Sequence, residues 1–481
     1  MRPRIVHFAL CLSALTAGCA SLDQRFAQVQ ADTTVQPLNA WATSASSLHV
    51  TKAVATDLAA WWHQLGDAQL EQLIDTATHA APDVRAAQAR LRQARATRGL
   101  AVANLYPAIG ASASATRSRT GRAAGGGDQS QSLYAAGFDA SWEPSIFGGL
   151  RDAAEAARAD AAAAEASLES TRASLAAEVA LEYVTLRVSQ QRLAIVRANV
   201  ASQTETLQIT EWRELAGLTT RLDVEQARTN LEQSRAAIPS LETARAEAEH
   251  RLAILTGRAP GSLRDMLREA RPLPTAPDEI AVGIPADTLR QRPDVRAAEL
   301  TLRAEIARTA EKEADRYPSL TLDGTFGWKG AALSALGGGS NVVRSLAASL
   351  AGTLFDGGRI TGRIDVQKAV QEQAFVAWEK AILTALEDVE NAMTAYANGR
   401  TRVDARRKAA TAAAQAAELA ALQYRAGSAD FQKVLETERT LLSAQDNLAS
   451  AEADVLSAVI QLYKALGGGW THTEPNEQTP S

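Results

Sequence analysis

The chain has 481 residues, of which 46% are hydrophobic but only 5% are aromatic, so alanine supplies much of the apolar content. Alanine mixed with leucine, glutamate, arginine and glutamine is typical of long helices. A mean hydropathy of −0.16 excludes a bundle of transmembrane helices. The formal charge of −5 excludes a protein that coats nucleic acid. Both cysteines, Cys11 and Cys19, lie near the N-terminus, so a disulfide framework is excluded as well.

The N-terminus has the pattern of an export signal. Two arginines precede an apolar stretch over residues 5–16 that is too short to span a bilayer, which predicts a signal peptide over residues 1–18. The small residues before Cys19 resemble a bacterial lipobox, although Leu15 stands one place earlier than usual. This resemblance implies acylation of Cys19, and Ala20 after it implies routing to the outer membrane. The alternative is an ordinary signal peptide with an incidental cysteine.

The remainder of the chain contains an internal duplication. Several landmarks recur in the same order at a nearly constant spacing of 210–211 residues, which indicates two homologous halves and not a short solenoid repeat. The recurring pairs are Pro82 to Ala87 with Pro293 to Ala298, Tyr106-Pro107 with Tyr317-Pro318, and Ala216-Gly217 with Ala426-Gly427.

Each half is predicted to contain three helices. A proline in the first turn with an acid beside it favours the start of the first helix, and Tyr-Pro ends it because the residue before proline is disfavoured in the α region. Long stretches without proline and almost without glycine predict the second helix of each half, and another helical pattern follows each Ala-Gly pair. The predicted ranges are 82–104, 149–215 and 221–256, with a kink expected at Pro239, and then 293–316, 359–425 and 431–466.

After each Tyr-Pro, the apolar residues recur with period 2 instead of 3.6. Leu320, Leu322, Phe326 and Trp328 alternate with polar residues, and Tyr134, Phe138 and Trp142 do so in the first half. This predicts two amphipathic strands per half, over about 107–147 and 318–356, each long enough to cross a membrane when tilted. The glycine runs 125–127 and 337–339 are predicted to be flexible loops between the strands.

These patterns predict a division of the chain into six segments. A proline-rich stretch between the halves breaks the helical pattern. It is expected to lie outside the rod that the long helices form, in a small equatorial domain. The segments are a signal peptide (1–18), a lipid-anchored N-terminal and equatorial segment (19–66), a first repeat (67–256), an equatorial connection (257–292), a second repeat (293–466) and a C-terminal tail (467–481).

Four strands per chain require partner chains. About eight strands are the practical minimum for a closed barrel, and an open sheet edge is not tolerated in lipid. The expected fold is therefore mainly α with a membrane β-barrel to which two, three or four copies contribute, continuous with a long α-helical barrel. The alternatives are a plain coiled coil and a periplasmic adaptor with a coiled-coil hairpin; the export signal and the amphipathic strands argue against both.

Three segments resemble a known family. They are Trp61 to Ala87, Gly283 to Glu299 and Leu462 to Trp470. They are similar to the TolC-like outer-membrane efflux proteins, in the branch of OprM and NodT lipoproteins. This resemblance implies a homotrimer with a twelve-stranded barrel, which docks a periplasmic adaptor and an inner-membrane RND-type pump. The implied function is a passive exit duct for drugs or other small molecules; type I protein secretion and heavy-metal efflux are the alternatives.

An enzyme is not expected. The histidines after the leader show no metal-ligand spacing, and both glycine runs lack the lysine and the strand–loop–helix setting of a phosphate-binding loop. The sequence therefore predicts no catalytic residue, no metal site and no cofactor.

A candidate gate lies at the helix ends opposite the strands. Gly217 and Gly427 each separate two helices and predict tight periplasmic turns. In a trimer each neighbouring residue becomes a ring of three, and rings of like charge make a selective constriction. By resemblance to the family, the gate residues are Tyr424, Asp430, Glu436 and Asp223, with Lys433 where some relatives have another acid. The alternative is that these are ordinary exposed turn residues.

Overall fold

The computed structural model describes residues 22–33, 35, 40–43, 48–50, 58–120, 129–277, 280–282 and 285–470. The predicted signal peptide, Cys19 and the glycine run 125–127 lie outside the described residues. Contacts divide the chain into two units, and each is considered separately. The first comprises Met1–Thr34, Arg90–Glu165 and Ala297–Glu379; the second comprises Val35–Ala89, Ala166–Arg296 and Lys380–Ser481.

Helices form most of the described chain. They are α1 (Leu22–Ala31), α2 (Ala68–Ala80), α3 (Pro82–Ala103), α4 (Gly149–Leu215), α5 (Arg221–Leu255), α6 (Arg264–Leu267), α7 (Pro285–Gln291), α8 (Pro293–Ala314), α9 (Arg359–Arg425) and α10 (Phe431–Ala465). Each helix expected in the two halves is observed within two residues of its predicted bounds, and α5 continues through Pro239. None of the described helices combines the length and the apolar character that crossing a bilayer requires.

The described strands form two sheets. They are β1 (Leu48–Val50), β2 (Ala108–Thr120), β3 (Gln129–Trp142), β4 (Ile280–Val282), β5 (Ser319–Gly330) and β6 (Val342–Ala351). The strands β2, β3, β5 and β6 make an antiparallel sheet in that order, and β1 pairs with β4 in parallel. The second glycine run, expected to be a flexible loop, lies in the connection between β5 and β6, where Leu333–Ala335 and Gly339–Asn341 form two short 3-10 turns.

The four-stranded sheet of the first unit has one apolar and one polar face. Partner residues across an antiparallel ladder point to the same side, so the register assigns every side chain to a face. The apolar face carries Ile109, Ala111, Ala113, Tyr134, Phe138, Trp142, Leu320, Leu322, Phe326, Trp328, Leu346 and Leu350. The polar face carries Ser112, Ser114, Thr116, Asp139, Ser141, Thr321, Asp323, Thr325, Ser345 and Ser349. The alternation predicted from the sequence is therefore observed on both halves of the sheet.

The apolar face of this sheet is uncovered in the single chain. Leu346 is 86% exposed, Ile109 75% and Leu350 69%. Large apolar side chains in this number are rarely left in water, and they indicate a surface that meets lipid or another protein.

The helix α1 packs inside the first unit through one aromatic residue. Phe26 is the buried residue of this helix, and its ring meets the edge of Trp378 at 6.4 Å between centroids. The guanidinium of Arg303 lies 4.3 Å from the centre of the Phe26 ring, and Arg25 forms an ion pair with Glu313 at 3.1 Å. These contacts fix the helix near the start of the described chain against α8 and α9.

The core of the second unit includes a buried arginine. Arg187 on α4 is inaccessible to solvent and donates to the carbonyl of Glu269 at 2.8 Å and to the Tyr183 hydroxyl at 2.9 Å. The Tyr183 hydroxyl in turn donates to Asp67 at 2.7 Å, and burial raises the pKa of Tyr183 to about 12. The same carboxylate of Asp67 caps the N-terminus of α2, where it accepts from the backbone of Gln69 and Leu70. This network ties the segment after α5 to the long helix.

Candidate gate at the helix tips

Two equivalent turns join the helices at the end that the sequence marked as the candidate gate. Gly217 has φ 72° and Gly427 has φ 75°, a left-handed conformation that favours glycine. In the first turn the amide of Leu218 donates to the carbonyl of Arg213 at 2.8 Å, and in the second that of Ser428 donates to Gln423 at 2.9 Å. Both turns are therefore Schellman motifs, which end α4 and α9 and reverse the chain within a few residues.

Asp223 is held by the start of its own helix. Its carboxylate accepts from the Thr219 hydroxyl at 2.7 Å, the Thr220 hydroxyl at 2.8 Å and the Thr220 amide at 3.0 Å, and Thr220 caps the Asp223 amide in return. Partial burial opposes ionisation, but these hydrogen bonds outweigh it and hold the pKa of Asp223 below its usual value. In the single chain this predicted gate residue completes a capping box.

The two acids of the second tip have different environments. Asp430 is the N-cap of α10 and accepts from the Lys433 amide at 3.0 Å. Glu436 is 69% exposed, and it accepts from the Lys433 ammonium at 3.2 Å. Lys433 therefore contacts one acid through its backbone and the other through its side chain. Because the Lys433–Glu436 pair is exposed, it contributes little to stability.

Tyr424 links the two tips. Its side chain is only 3% exposed, and its hydroxyl donates to the Thr210 hydroxyl of α4 at 3.1 Å. The guanidinium carbon of Arg213 lies 4.6 Å from the centre of the Tyr424 ring, and Arg213 also donates to the Tyr424 carbonyl at 2.8 Å. Phe431 meets the ring edge-on at 6.0 Å. Tyr424 thus joins the end of α9 to the end of α4 through a hydrogen bond and a cation–π contact.

Several buried polar residues near the helix tips were not predicted from the sequence. Thr210 is fully buried, and Glu438 on α10 is 8% exposed. The Thr206 hydroxyl donates to the Glu438 carboxyl at 2.7 Å. Burial raises the pKa of Glu438 more than this hydrogen bond lowers it. The missed signal is the spacing of Thr206, Thr210 and Arg213, which places three polar residues on one face of α4.

The tips also present apolar side chains to solvent. On the first tip Trp212 is 60% exposed, Leu215 84% and Leu218 67%. Such a cluster on a helix end is typical of a contact surface and not of an isolated solvated turn.

Comparison with known proteins places this architecture in a family. The sequence model described as outer membrane efflux protein matches residues 73–258 and again residues 284–468, so each repeat matches it once. The chain is similar to nodulation protein T of Rhizobium leguminosarum bv. viciae, at 30% identity over 87% of the chain and 86% of that protein. It is also similar to the pyoverdine export outer membrane protein OpmQ of Pseudomonas aeruginosa, at 31% identity over 86% and 88%.

A solved structure supports the same assignment. The outer-membrane channel OprN superimposes with a TM-score of 0.85 at 32% identity, covering 92% of this chain and 99% of OprN. The resemblance noted in the sequence is thus confirmed by both kinds of comparison. The chain belongs to the outer membrane efflux protein family.

Proposed function

We propose that the protein is the outer-membrane exit duct of a tripartite efflux system and that it conducts small molecules passively. The observation that carries this proposal is the four-stranded sheet, which has one apolar face, one polar face and two unpaired edges. The protein is a channel component and not an enzyme, as its family indicates. The periplasmic adaptor considered above is set aside because the matched family consists of outer membrane proteins.

The two edge strands of the sheet can pair with each other between neighbouring copies. β2 and β6 stand at opposite edges and run in opposite directions, because three antiparallel pairings separate them. In lipid, each unpaired edge amide or carbonyl costs several kcal/mol. Pairing of β6 in one copy with β2 in the next satisfies these groups, keeps the antiparallel order and directs every apolar face outward. Three copies then give a closed barrel of twelve strands, which supports a homotrimer.

The remaining segments take roles around this barrel. The polar face of the sheet would line the barrel, and the helices of the two repeats would form the periplasmic tunnel. We assign residues 19–66 and 257–292 to the equatorial region, because β1 from the first segment pairs with β4 from the second. Acylation of Cys19 would anchor the chain to the outer membrane.

The helix tips are proposed as the gate and as the end that meets the adaptor and the inner-membrane pump. The contacts of Tyr424 with Thr210 and Arg213 support this role, because they hold the ends of α4 and α9 together within one chain. Asp223, Asp430 and Glu436 surround the same turns, and in a trimer each would form a ring of three carboxylates. The exposed Trp212, Leu215 and Leu218 offer an apolar surface for the adaptor.

Small molecules are the proposed cargo. One relative is named for pyoverdine export, and others are named for solvent and toluene efflux. These names support transport of small organic molecules over secretion of proteins.

Two measurements test this proposal. The purified full chain in detergent should have the mass of three copies by light scattering and should run as a heat-modifiable trimer on a gel. In cells that lack their own outer-membrane component but contain an adaptor and pump, the chain should lower ethidium accumulation. A monodisperse monomer, or unchanged accumulation beside a working relative such as OpmQ, would contradict the proposal.

A further inference from the structure

The charged residues of the sheet are distributed unevenly between its faces. On the apolar face, three arginines interrupt the apolar pattern: Arg117 and Arg119 on β2, and Arg344 on β6. The acids of the four described strands, Asp139 and Asp323, lie on the other face. The face that meets lipid in the proposed barrel is therefore basic and free of acid over these strands.

The three arginines all lie at one end of the sheet. Arg117 and Arg119 are in the last four residues of β2, and Arg344 is the third residue of β6. The loops at this end connect strand to strand, whereas the opposite end connects to the helices. Under the proposed function this is the outer end, far from the periplasm. The same face at the helix end carries Ile109, Leu320 and Leu350 instead.

Their surroundings are those of an interfacial site. Arg117 donates to the Ser130 hydroxyl at 3.1 Å, and the register places Ser130 and Ser132 on the same face beside Arg119 and Arg117. Arg344 lies opposite Phe326, whose ring packs edge-on against Trp328 at 5.6 Å. Aromatic rings next to cations mark the headgroup level of a barrel, since an arginine is strongly destabilising at the bilayer midplane and tolerated near the interface.

Closing the barrel brings the arginines together. Within one sheet, Arg344 and the pair Arg117 and Arg119 stand on opposite edge strands. When β6 of one copy pairs with β2 of the next, the two edges become neighbours about 5 Å apart. All three arginines then lie on the same face near the same end, with one arginine supplied by one copy and two by the other. The site is incomplete in a single chain. It occurs once at each seam, which is the contact between β6 of one copy and β2 of the next.

From this arrangement we infer that each seam between copies binds a phosphorylated lipid of the outer leaflet. Arginine binds phosphate oxygens through paired N–H donors, and the serine hydroxyls can add further hydrogen bonds. A lipid is the occupant favoured over free phosphate because the apolar face continues directly below the arginines, where Leu346 and Phe138 can contact acyl chains. The bound lipid would cover the seam and hold two copies together. This inference rests on the proposed trimer and its orientation.

Native mass spectrometry of the purified full-length trimer tests the inference. The probes are diphosphorylated lipid A, the same lipid after removal of its phosphates, and inorganic phosphate as competitor. The trimer should retain diphosphorylated lipid A about tenfold better than the dephosphorylated form, as expected for charge-assisted hydrogen bonds. Inorganic phosphate at the concentration of the lipid should leave the bound lipid in place. Equal retention of both lipids, or displacement by inorganic phosphate, would overturn the inference.

Substitutions at the two edges test whether they form one site. Arg344→Gln and Arg117→Gln should each reduce retention of diphosphorylated lipid A about tenfold. The double variant should lose less than the product of the two effects, because both side chains bind one headgroup. Lys329→Gln is the matched control, since Lys329 lies at the same end of the sheet on the polar face, and it should retain the lipid like the wild type.

The outcomes separate this inference from the proposed function. An unchanged level of lipid binding in Arg344→Gln, or an equal loss in Lys329→Gln, would refute the seam site while the trimer mass and the ethidium assay remain valid. A monomer in the same spectra would instead refute the assembly on which the site depends. Retention that depends on both arginines and not on Lys329 would establish the site.

Discussion

Replacing Tyr424 by phenylalanine should loosen the proposed gate while it leaves the packing intact. Tyr424→Phe removes the hydroxyl that donates to Thr210 at 3.1 Å, but it keeps the ring against Phe431 and under Arg213. Thr210 still donates to the Thr206 carbonyl at 2.8 Å, so its hydroxyl keeps one partner. The variant is therefore expected to fold, and it should destabilise only the state in which the ends of α4 and α9 are joined.

The size of the effect follows from one hydrogen bond per chain. A buried hydrogen bond between neutral groups contributes about 1 kcal/mol, which is about a fivefold change in an equilibrium constant. If three chains open together, the sum is about 3 kcal/mol, or roughly 150-fold in the open population. Single-channel recording in planar bilayers should show an open probability that is higher by a factor between these two values. Cells that carry the variant should become more sensitive to vancomycin.

The control is Glu155→Ala. Glu155 lies on the shaft of α4 in the first unit, where it contacts Arg158 at 3.7 Å in an exposed ion pair that contributes little. It should match the wild type in both assays. If Tyr424→Phe also matches the wild type in open probability and in vancomycin sensitivity, the contact between Tyr424 and Thr210 does not restrain the gate.

Three other predictions concern the tips and the anchor. Asp223→Asn should destabilise the start of α5 by about 0.3–1 kcal/mol near neutral pH, because it removes the negative charge from the first turn of the helix. Folding lowers the pKa of Asp223, so its stabilisation is present above the unfolded pKa and is lost as pH falls through the folded pKa. The difference in melting temperature between variant and wild type should therefore shrink in acid. A difference that stays constant with pH would contradict the capping role. Glu438→Gln should keep the contact with Thr206 and remove a buried charge. Folding raises the pKa of Glu438, so the wild type should gain stability as pH falls towards the unfolded pKa. Melting temperatures should show that the variant lacks this gain. An equal gain in both proteins would refute the burial of the Glu438 carboxyl. Cys19→Ser should abolish labelling with radioactive palmitate, and a labelled variant would refute the predicted lipid anchor.

The sequence alone determined most of the local structure. The bounds of α4 and α9 follow from stretches without proline and almost without glycine, and both end at an Ala-Gly pair because glycine adopts the left-handed conformation of the turn. The alternation in β5 predicted which side chains share a face, because side chains in a strand alternate with period 2. These features depend on residues close in sequence, so a local pattern is enough to predict them.

Other features could not be predicted because they depend on pairs that are distant in sequence. The strands β1 and β4 have three residues each, too few for a recognisable alternation, and they form only by pairing with each other across the chain. The position of Glu438 under Thr206 likewise depends on how α10 packs against α4. No local pattern contains that information.

The candidate gate shows most clearly which features the sequence predicts and which depend on the tertiary structure. The sequence identified Tyr424, Asp223, Asp430 and Glu436 near two glycine turns, and their role in gating stays a prediction. Only the tertiary structure decided that Tyr424 is buried against Thr210 and Arg213, while Asp223 and Asp430 cap helices. Helical periodicity determines which face of each helix a residue occupies, but the packing of one helix against another determines what that residue contacts.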